Sequence, residues 1–247
     1  MSEATLLNFY KKANIPKLNK SPLTYVLKDL SFTKGLNKVW VEFGTVKAFN
    51  IDEMAAETAS TVFSISNFGG MYSKSAKKLR LMERRNIRES DIIPKTRNNV
   101  IKLKGTFTDI LTRFLKEDVG KKGKITLMLI APGLYSSTKY ILDAAKNYMD
   151  PNGCYIIFEK LLNFPHGDVS LQTKDYRQKK SLVCELGKKY LRSRGEAQAL
   201  YDFIKQNSGR QIHSSMRKKF KWIGINGGVG ISYYDGRSEM CAIKISS

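Results

Sequence analysis

The sequence has few acidic residues, histidines and cysteines, and it contains no long apolar run. Its two histidines and its three cysteines, which form no CxxC pair, argue against a zinc site and a disulfide framework. The longest apolar run, Ile125 to Ala131, is far shorter than the ~18 residues that cross a bilayer. The amino terminus shows no secretory signal. We therefore expect an intracellular protein of the cytoplasm or nucleus that is neither secreted nor membrane-spanning.

The common catalytic signatures are also missing. The sequence contains no GxxxxGK[ST] phosphate loop, no GxSxG nucleophile elbow and no HExxH metal helix. Its acidic residues are scattered, and no tight pair suggests a two-metal site or a glycosidase. From these absences we predict a protein that is not an enzyme, with no catalytic residues, no metal and no cofactor.

Positive charge is the most prominent feature that the sequence does have. Lys and Arg number 43 against 22 Asp and Glu, which gives a formal net charge of +21. Two segments, Met71 to Lys104 and Lys174 to Lys221, carry net charges of +8 and +10. So much self-repulsion in a third of the chain favours a polyanionic partner.

The first candidate site is a helix predicted from Met71 to Arg88. Only Glu83 and Glu89 are available to pair with its cations, whereas a solvated helix usually interleaves acids and bases. This pattern favours phosphate binding over a merely solvated face. The candidate residues are Lys74, Lys77, Lys78, Arg80, Arg84, Arg85 and Arg88.

The second candidate site combines a basic helix with a later basic run. Leu182, Leu186 and Tyr190 form the inward stripe of the helix, so its basic side is exposed. In the later run, Phe220 and Trp222 alternate with lysines, which suits either base stacking or a strand with two core aromatics. The same run could serve as a nuclear-import signal. The candidate residues are Lys179, Lys180, Lys188, Lys189, Arg192, Arg194, Arg217, Lys218, Lys219 and Lys221.

The predicted fold is of the α+β (mixed α/β) class, with a helix-rich middle. A short βαβ unit spans residues 125–161, and the apolar runs Phe220 to Ile225, Val229 to Tyr234 and Met240 to Ile245 predict a C-terminal antiparallel β-meander. Residues 1–247 are expected to form one domain, with 1–104 and 105–247 as a possible subdivision.

The first half of the chain is predicted from shorter patterns. Lys38 to Phe49 is expected to be a strand pair or one strand bent at Gly44, and Asp52 to Phe63 a helix. Thr106 to Val119 is the clearest helix, with Thr106 as its cap and Asp109 as the capping-box partner.

One segment resembles a known enzyme family. The run Asp150 to Glu159, with sequence DPNGCYIIFE, resembles the late turn and strand of class I methyltransferases, and the resemblance covers about 35 residues. It implies a cofactor-binding α/β domain. The glycine-rich cofactor loop expected after the first strand of such a domain is not visible upstream.

Together these patterns predict a nucleoprotein-like protein that coats or packages RNA or single-stranded DNA through phosphate contacts. Viral nucleoproteins and matrix proteins share this general character. The alternative is a matrix-type structural protein that binds an anionic membrane surface, and the remote alternative is a methyltransferase-like enzyme. Self-association remains open.

Overall fold

The structure is a computed structural model, and it gives the positions of slightly more than half of the chain. It describes residues 9–10, 12–31, 38–44, 49–66, 96–132, 135–159, 161, 195–208, 219–226 and 240–246. Among these residues, no helix is both long enough and apolar enough to cross a membrane.

In the described residues, seven strands form one sheet with the order β3-β2-β1-β4-β5-β7-β6. Strands β1 to β5 pair in parallel, whereas β7 runs antiparallel to both β5 and β6. The central strands are apolar almost throughout because helices cover both faces of the sheet. The strands are β1 (Lys38–Phe43), β2 (Val62–Ser66), β3 (Val100–Lys104), β4 (Lys124–Ile130), β5 (Cys154–Phe158), β6 (Lys219–Asn226) and β7 (Met240–Ser246).

The helices lie in two layers. The first layer holds α1 (Pro22–Ser31) and α2 (Phe49–Ala56), which pack on the face that carries Trp40 and Leu127. The second layer covers the opposite face. It consists of α3 (Phe107–Arg113), a π-helical segment (Phe114–Val119), α4 (Gly120–Lys122), α5 (Tyr135–Ala145) and α6 (Gly195–Ser208).

The order of the strands creates a crevice between β1 and β4. From β1 the chain moves outward through β2 to β3, and it then returns to place β4 on the other side of β1. The connections that follow β1 and β4 therefore diverge. In open α/β sheets, ligands bind at the carboxyl ends of the strands at such a switch point.

The predicted α+β class and the βαβ unit are confirmed. Strands β4 and β5 pair in parallel, and α5 connects them as the amphipathic helix predicted from the sequence. The Thr106 cap is also confirmed, because its hydroxyl accepts a hydrogen bond from the Asp109 amide at 3.4 Å. The helix continues past the predicted end at Val119, through the π-helical segment and α4, to Lys122.

Two predictions in the first half of the chain need correction. The helix predicted from Asp52 to Phe63 ends at Ala56, and Val62 begins a buried strand instead. Pairing with strands on both sides outweighs local helical periodicity there, and the Val, Phe and Ile residues of this segment suit a strand. The segment from Lys38 to Phe49, predicted as a strand pair or one strand bent at Gly44, holds a single strand that ends at Phe43, and Gly44 turns the chain with φ of 85°.

The C-terminal strands are antiparallel, as predicted. Strand β6 pairs with β7, and β7 lies between β5 and β6. The middle predicted strand, Val229 to Tyr234, falls outside the described residues. The free side of β6 is partly covered by the chain near Leu18, whose amide donates to the Ile225 carbonyl at 2.8 Å.

Candidate functional site

The crevice between the carboxyl ends of β1 and β4 has a closely packed backbone. Gly44 donates its amide hydrogen to the Ile65 carbonyl, and Ala131 donates to the Phe43 carbonyl, both at 2.9 Å. A Cβ at Gly44 would lie 2.9 Å from the nitrogen of Pro132. The turn after β1 therefore needs glycine for two reasons, its positive φ and the contact with the chain after β4.

The sheet changes from polar to apolar across this crevice. Ser64, Glu42, Leu129 and Ile157 are paired side by side on β2, β1, β4 and β5. All four are buried, and Glu42 is only 1% exposed. Buried carboxylates and hydroxyls are uncommon among the core residues of a sheet, so this polar row beside the switch point is the candidate functional region.

Helix α2 adds two polar side chains next to the end of β1. Asp52 lies in the first turn of the helix, and its Oδ1 atom is buried with no hydrogen-bond partner in the described part of the chain. The Asn50 amide donates to a carboxylate oxygen of Glu159 at 3.4 Å. Because Glu159 follows β5, this bond connects the start of α2 to the far side of the crevice.

Helix α5 begins on the other side of the crevice, after β4. Its first turn contains no acidic residue, and Thr138 is fully buried there. The Thr138 hydroxyl has no hydrogen-bond partner among the described residues.

A hydrogen-bonded group fixes the start of α5 to α6. Tyr135 donates its hydroxyl hydrogen to Asp202 at 2.9 Å, and the Gln198 amide donates to the other Asp202 oxygen at 2.8 Å. Partial burial and the bond to the Asp202 carboxylate raise the pKa of Tyr135 to about 12. Tyr135 therefore keeps its proton at neutral pH and remains a donor to Asp202.

The described residues contain no group of three His, Cys, Asp or Glu side chains that could hold a metal ion. The polar groups near the crevice come from several elements, namely β1, β2, α2 and α5. The side chains described here can form hydrogen bonds and charge pairs with a ligand.

Most of the predicted basic site residues lie outside the described part of the chain. Lys219 and Lys221 are exposed on β6, while Phe220 and Trp222 are partly buried against the core, as expected of core aromatics in a strand. The other candidate binding residues stay predictions. Those outside the described residues are Lys74, Lys77, Lys78, Arg80, Arg84, Arg85, Arg88, Lys179, Lys180, Lys188, Lys189, Arg192, Arg194, Arg217 and Lys218.

The described fold itself is only moderately basic. Its residues include 19 Lys and Arg and 13 Asp and Glu, so most of the net charge of +21 lies elsewhere in the chain. The charge that dominates the sequence therefore says little about the crevice.

Sequence reasoning missed Glu42, Asp52 and Thr138. Glu42 could have been found, because an acid followed two residues later by Gly44 at the end of an apolar strand is a visible pattern. Asp52 and Thr138 give no such signal, because their importance comes from burial without a partner, which depends on the folded structure.

The chain was compared with known proteins. No family model and no curated protein sequence matches it. Among solved structures, the O-methyltransferase TomG from Streptomyces achromogenes, in complex with SAM, is similar at TM-score 0.50 and 13% identity, over 100% of this chain and 91% of that one. An O-methyltransferase from Bacillus cereus in complex with SAH is similar at TM-score 0.49 and 16% identity, over 100% and 92%. At 13% identity, the similarity to TomG shows the fold alone.

The fold corrects the function predicted from the charge. The prediction of a non-enzymatic protein that coats RNA or single-stranded DNA is wrong, and so is the matrix-type alternative, because the chain has the fold of TomG, a methyltransferase. The prediction of partners is wrong for the same reason; it named nucleic acid, an anionic membrane surface and further copies of the chain. Net charge reports on electrostatic environment and not on fold, which is why it misled here.

Proposed function

We propose that this protein is a methyltransferase that binds S-adenosylmethionine at the carboxyl ends of β1 and β4. The observation that carries the proposal is the buried polar lining of this crevice, where β1 and β2 bury Glu42, Ser64 and Ser66. The fold shared with TomG supports it, because that enzyme is bound to SAM.

The residues of the crevice fit the chemical groups of this methyl donor. The donor carries an ammonium group and two ribose hydroxyls, all of which donate hydrogen bonds. The buried Oδ1 of Asp52, which lacks a partner in the described residues, would accept one of these bonds. Glu42 at the end of β1 and Ser66 at the end of β2 are the other polar side chains in reach of the same strand ends.

The bound donor would supply a methyl group on a positively charged sulfur, which is already activated for transfer. The contribution of the chain is to bind and orient the two reactants. The tight Gly44 turn keeps the end of β1 against the chain after β4, and the Asn50–Glu159 hydrogen bond connects α2 to the far side of the crevice.

Calorimetric titration with S-adenosylmethionine and S-adenosylhomocysteine tests the proposal. We expect wild-type protein to bind both, and Asp52→Asn to bind about tenfold more weakly, because a charged acceptor is replaced by a neutral amide. The matched control is Asp143→Asn, which removes a carboxylate that pairs with Lys139 on the surface of α5. Its affinity should equal that of wild type. Absence of binding to the wild-type protein would overturn the proposal.

Transfer is tested separately from binding. The protein is incubated with a donor labelled in its methyl group, together with a panel of small acceptors, and the label is followed into product. Label in a product that depends on the protein supports the assignment as an enzyme. Tight donor binding without transfer to any acceptor in an exhaustive panel would contradict it.

The proposed enzyme works inside the cell. Cys154 and Cys241 are both buried in the sheet, and the sequence contains no CxxC pair. Such cysteines are typical of a reducing compartment.

A further inference from the structure

We propose that the amino terminus of α5 binds an oxyanion, a phosphate or a carboxylate, and that this group belongs to the acceptor of the methyl group. The anion site stands on the geometry of α5 alone. Its role in acceptor binding rests on the function proposed above.

The first argument is the position and electrostatics of α5. The helix follows β4 directly at the switch point and is 11 residues long. The first amides of a helix have no partner within it, and the helix dipole places partial positive charge there. Because Tyr135 to Thr138 include no acid, no side chain of that turn supplies the negative charge that this end favours.

The second argument is the Thr138 hydroxyl. Thr138 shares the buried stripe of α5 with Ile141, Leu142 and Ala145, so it faces the sheet. Helical side chains lean toward the amino terminus of their helix, which directs Thr138 toward the end of β4. The hydroxyl is fully buried and unpartnered among the described residues. Such a donor is costly unless something absent from the free protein accepts its bond.

The charges around this turn do not already neutralise it. The nearby Asp202 carboxylate accepts hydrogen bonds from both Tyr135 and Gln198, so it is held on the α6 side. Lys139, the residue after Thr138, forms an ion pair with Asp143 at 2.8 Å. An oxyanion that accepts from the Thr138 hydroxyl and from the first amides of α5 would complete this end of the helix.

The consequence for the proposed reaction concerns the substrate. An anionic acceptor would be anchored after β4, next to the crevice assigned to the methyl donor. Thr138 would then be a positioning residue, since it would contact the anchoring group and not the atom that receives the methyl.

The test uses inorganic phosphate and acetate as probes, with chloride at matched ionic strength as reference. Affinity is measured by calorimetry for the wild type and three variants. We expect Thr138→Val to weaken binding of the preferred anion about tenfold, and Thr138→Ser, which keeps the hydroxyl, to retain it. Thr112→Val, which changes an exposed threonine of α3, should bind as the wild type does. Whichever probe binds more tightly identifies the acceptor group as phosphate or carboxylate.

A second readout locates the anion. In amide NMR spectra of the 28.1 kDa protein, the signals of Tyr135, Ser136 and Ser137 should shift on titration, and those of Thr138→Val should not. Equal affinity of wild type and Thr138→Val, or shifts confined to lysine-rich segments, would show adventitious binding only and would overturn the site.

The same variants distinguish failure of this site from failure of the proposed function. Oxyanion binding that depends on Thr138 supports the site even where S-adenosylmethionine does not bind. If the donor binds to wild type and no oxyanion does, the methyltransferase proposal stands and the site is wrong.

Discussion

The two halves of the sheet, with the helices beside them, differ in whether their buried polar groups are hydrogen-bonded. In the amino half, the Trp40 indole donates to the Thr126 hydroxyl at 3.1 Å, and the Tyr155 hydroxyl donates to Asp29. Near the carboxyl ends of the strands, Asp52 and Thr138 have buried oxygens without a partner in the described residues. Buried polar groups are normally satisfied, so the first region contributes stability, whereas the second is the region where we propose that ligands bind.

The amino half is further reinforced around Tyr155. The Lys244 ammonium lies 4.7 Å from the centre of the Tyr155 ring and 4.0 Å from an Asp29 oxygen. Together these three residues connect α1 to β5 and β7. Each of the three contacts the other two within the protein, which is the pattern expected of a structural cluster.

The largest effect is expected at Gly44, whose backbone packs against the chain that follows β4. Gly44→Ala puts a Cβ 2.9 Å from the Pro132 nitrogen at a residue with φ of 85°. We expect a loss of about 3 kcal/mol in the free energy of unfolding, measured by urea denaturation, because strain and a backbone clash combine. Affinity for S-adenosylmethionine should fall as well. As a control, Gly120→Ala places a Cβ within a helix, 3.5 Å from the Leu115 carbonyl oxygen, which is an ordinary contact, and it should leave both properties unchanged or slightly improved.

The second-largest effect is expected for the hydrogen bond between Trp40 and Thr126, in the amino half of the sheet. Thr126→Val keeps the volume of the side chain but removes the acceptor for the buried Trp40 indole. Leaving this donor unsatisfied should cost about 2 kcal/mol of unfolding free energy. Affinity for the donor and for oxyanions should not change, since the residue lies in the structural half. A stable Thr126→Val protein with impaired ligand binding would contradict the division between the two regions.

A smaller effect is expected for Tyr155→Phe, at about 1 kcal/mol near neutral pH. Burial first, and then the bond to Asp29, raise the pKa of Tyr155 above its usual value. The folded protein therefore keeps this proton when the unfolded chain has lost it, so the stabilisation is complete below about pH 10 and declines as the pH rises further. Urea denaturation of wild type and Tyr155→Phe at pH 8 to 11 should show the difference shrinking. A difference that grows with pH would mean that the hydroxyl is not held as a donor.

The sequence predicted the parts of the fold that follow from local periodicity. The apolar run of β4, the amphipathic α5 and the turn before β5 were all visible, and so was the Thr106 cap. The sequence analysis missed strand β2 because the local pattern predicts a helix, whereas in the folded protein this segment pairs with a strand on each side. The crevice could not be predicted, since it depends on β1 and β4 being neighbours although about 80 residues separate them in the chain.

The smallest effect is the one that most sharply separates the two regions. Thr138→Val makes the same chemical change as Thr126→Val, at an equally buried threonine. Here no described residue accepts from or donates to the hydroxyl, so its removal should leave the free energy of unfolding unchanged within about 0.5 kcal/mol, or raise it. Urea denaturation without added anions measures this. A loss as large as that of Thr126→Val would show that the free protein already uses the Thr138 hydroxyl, and the contrast between a structural and a ligand-binding half would then fail at this residue.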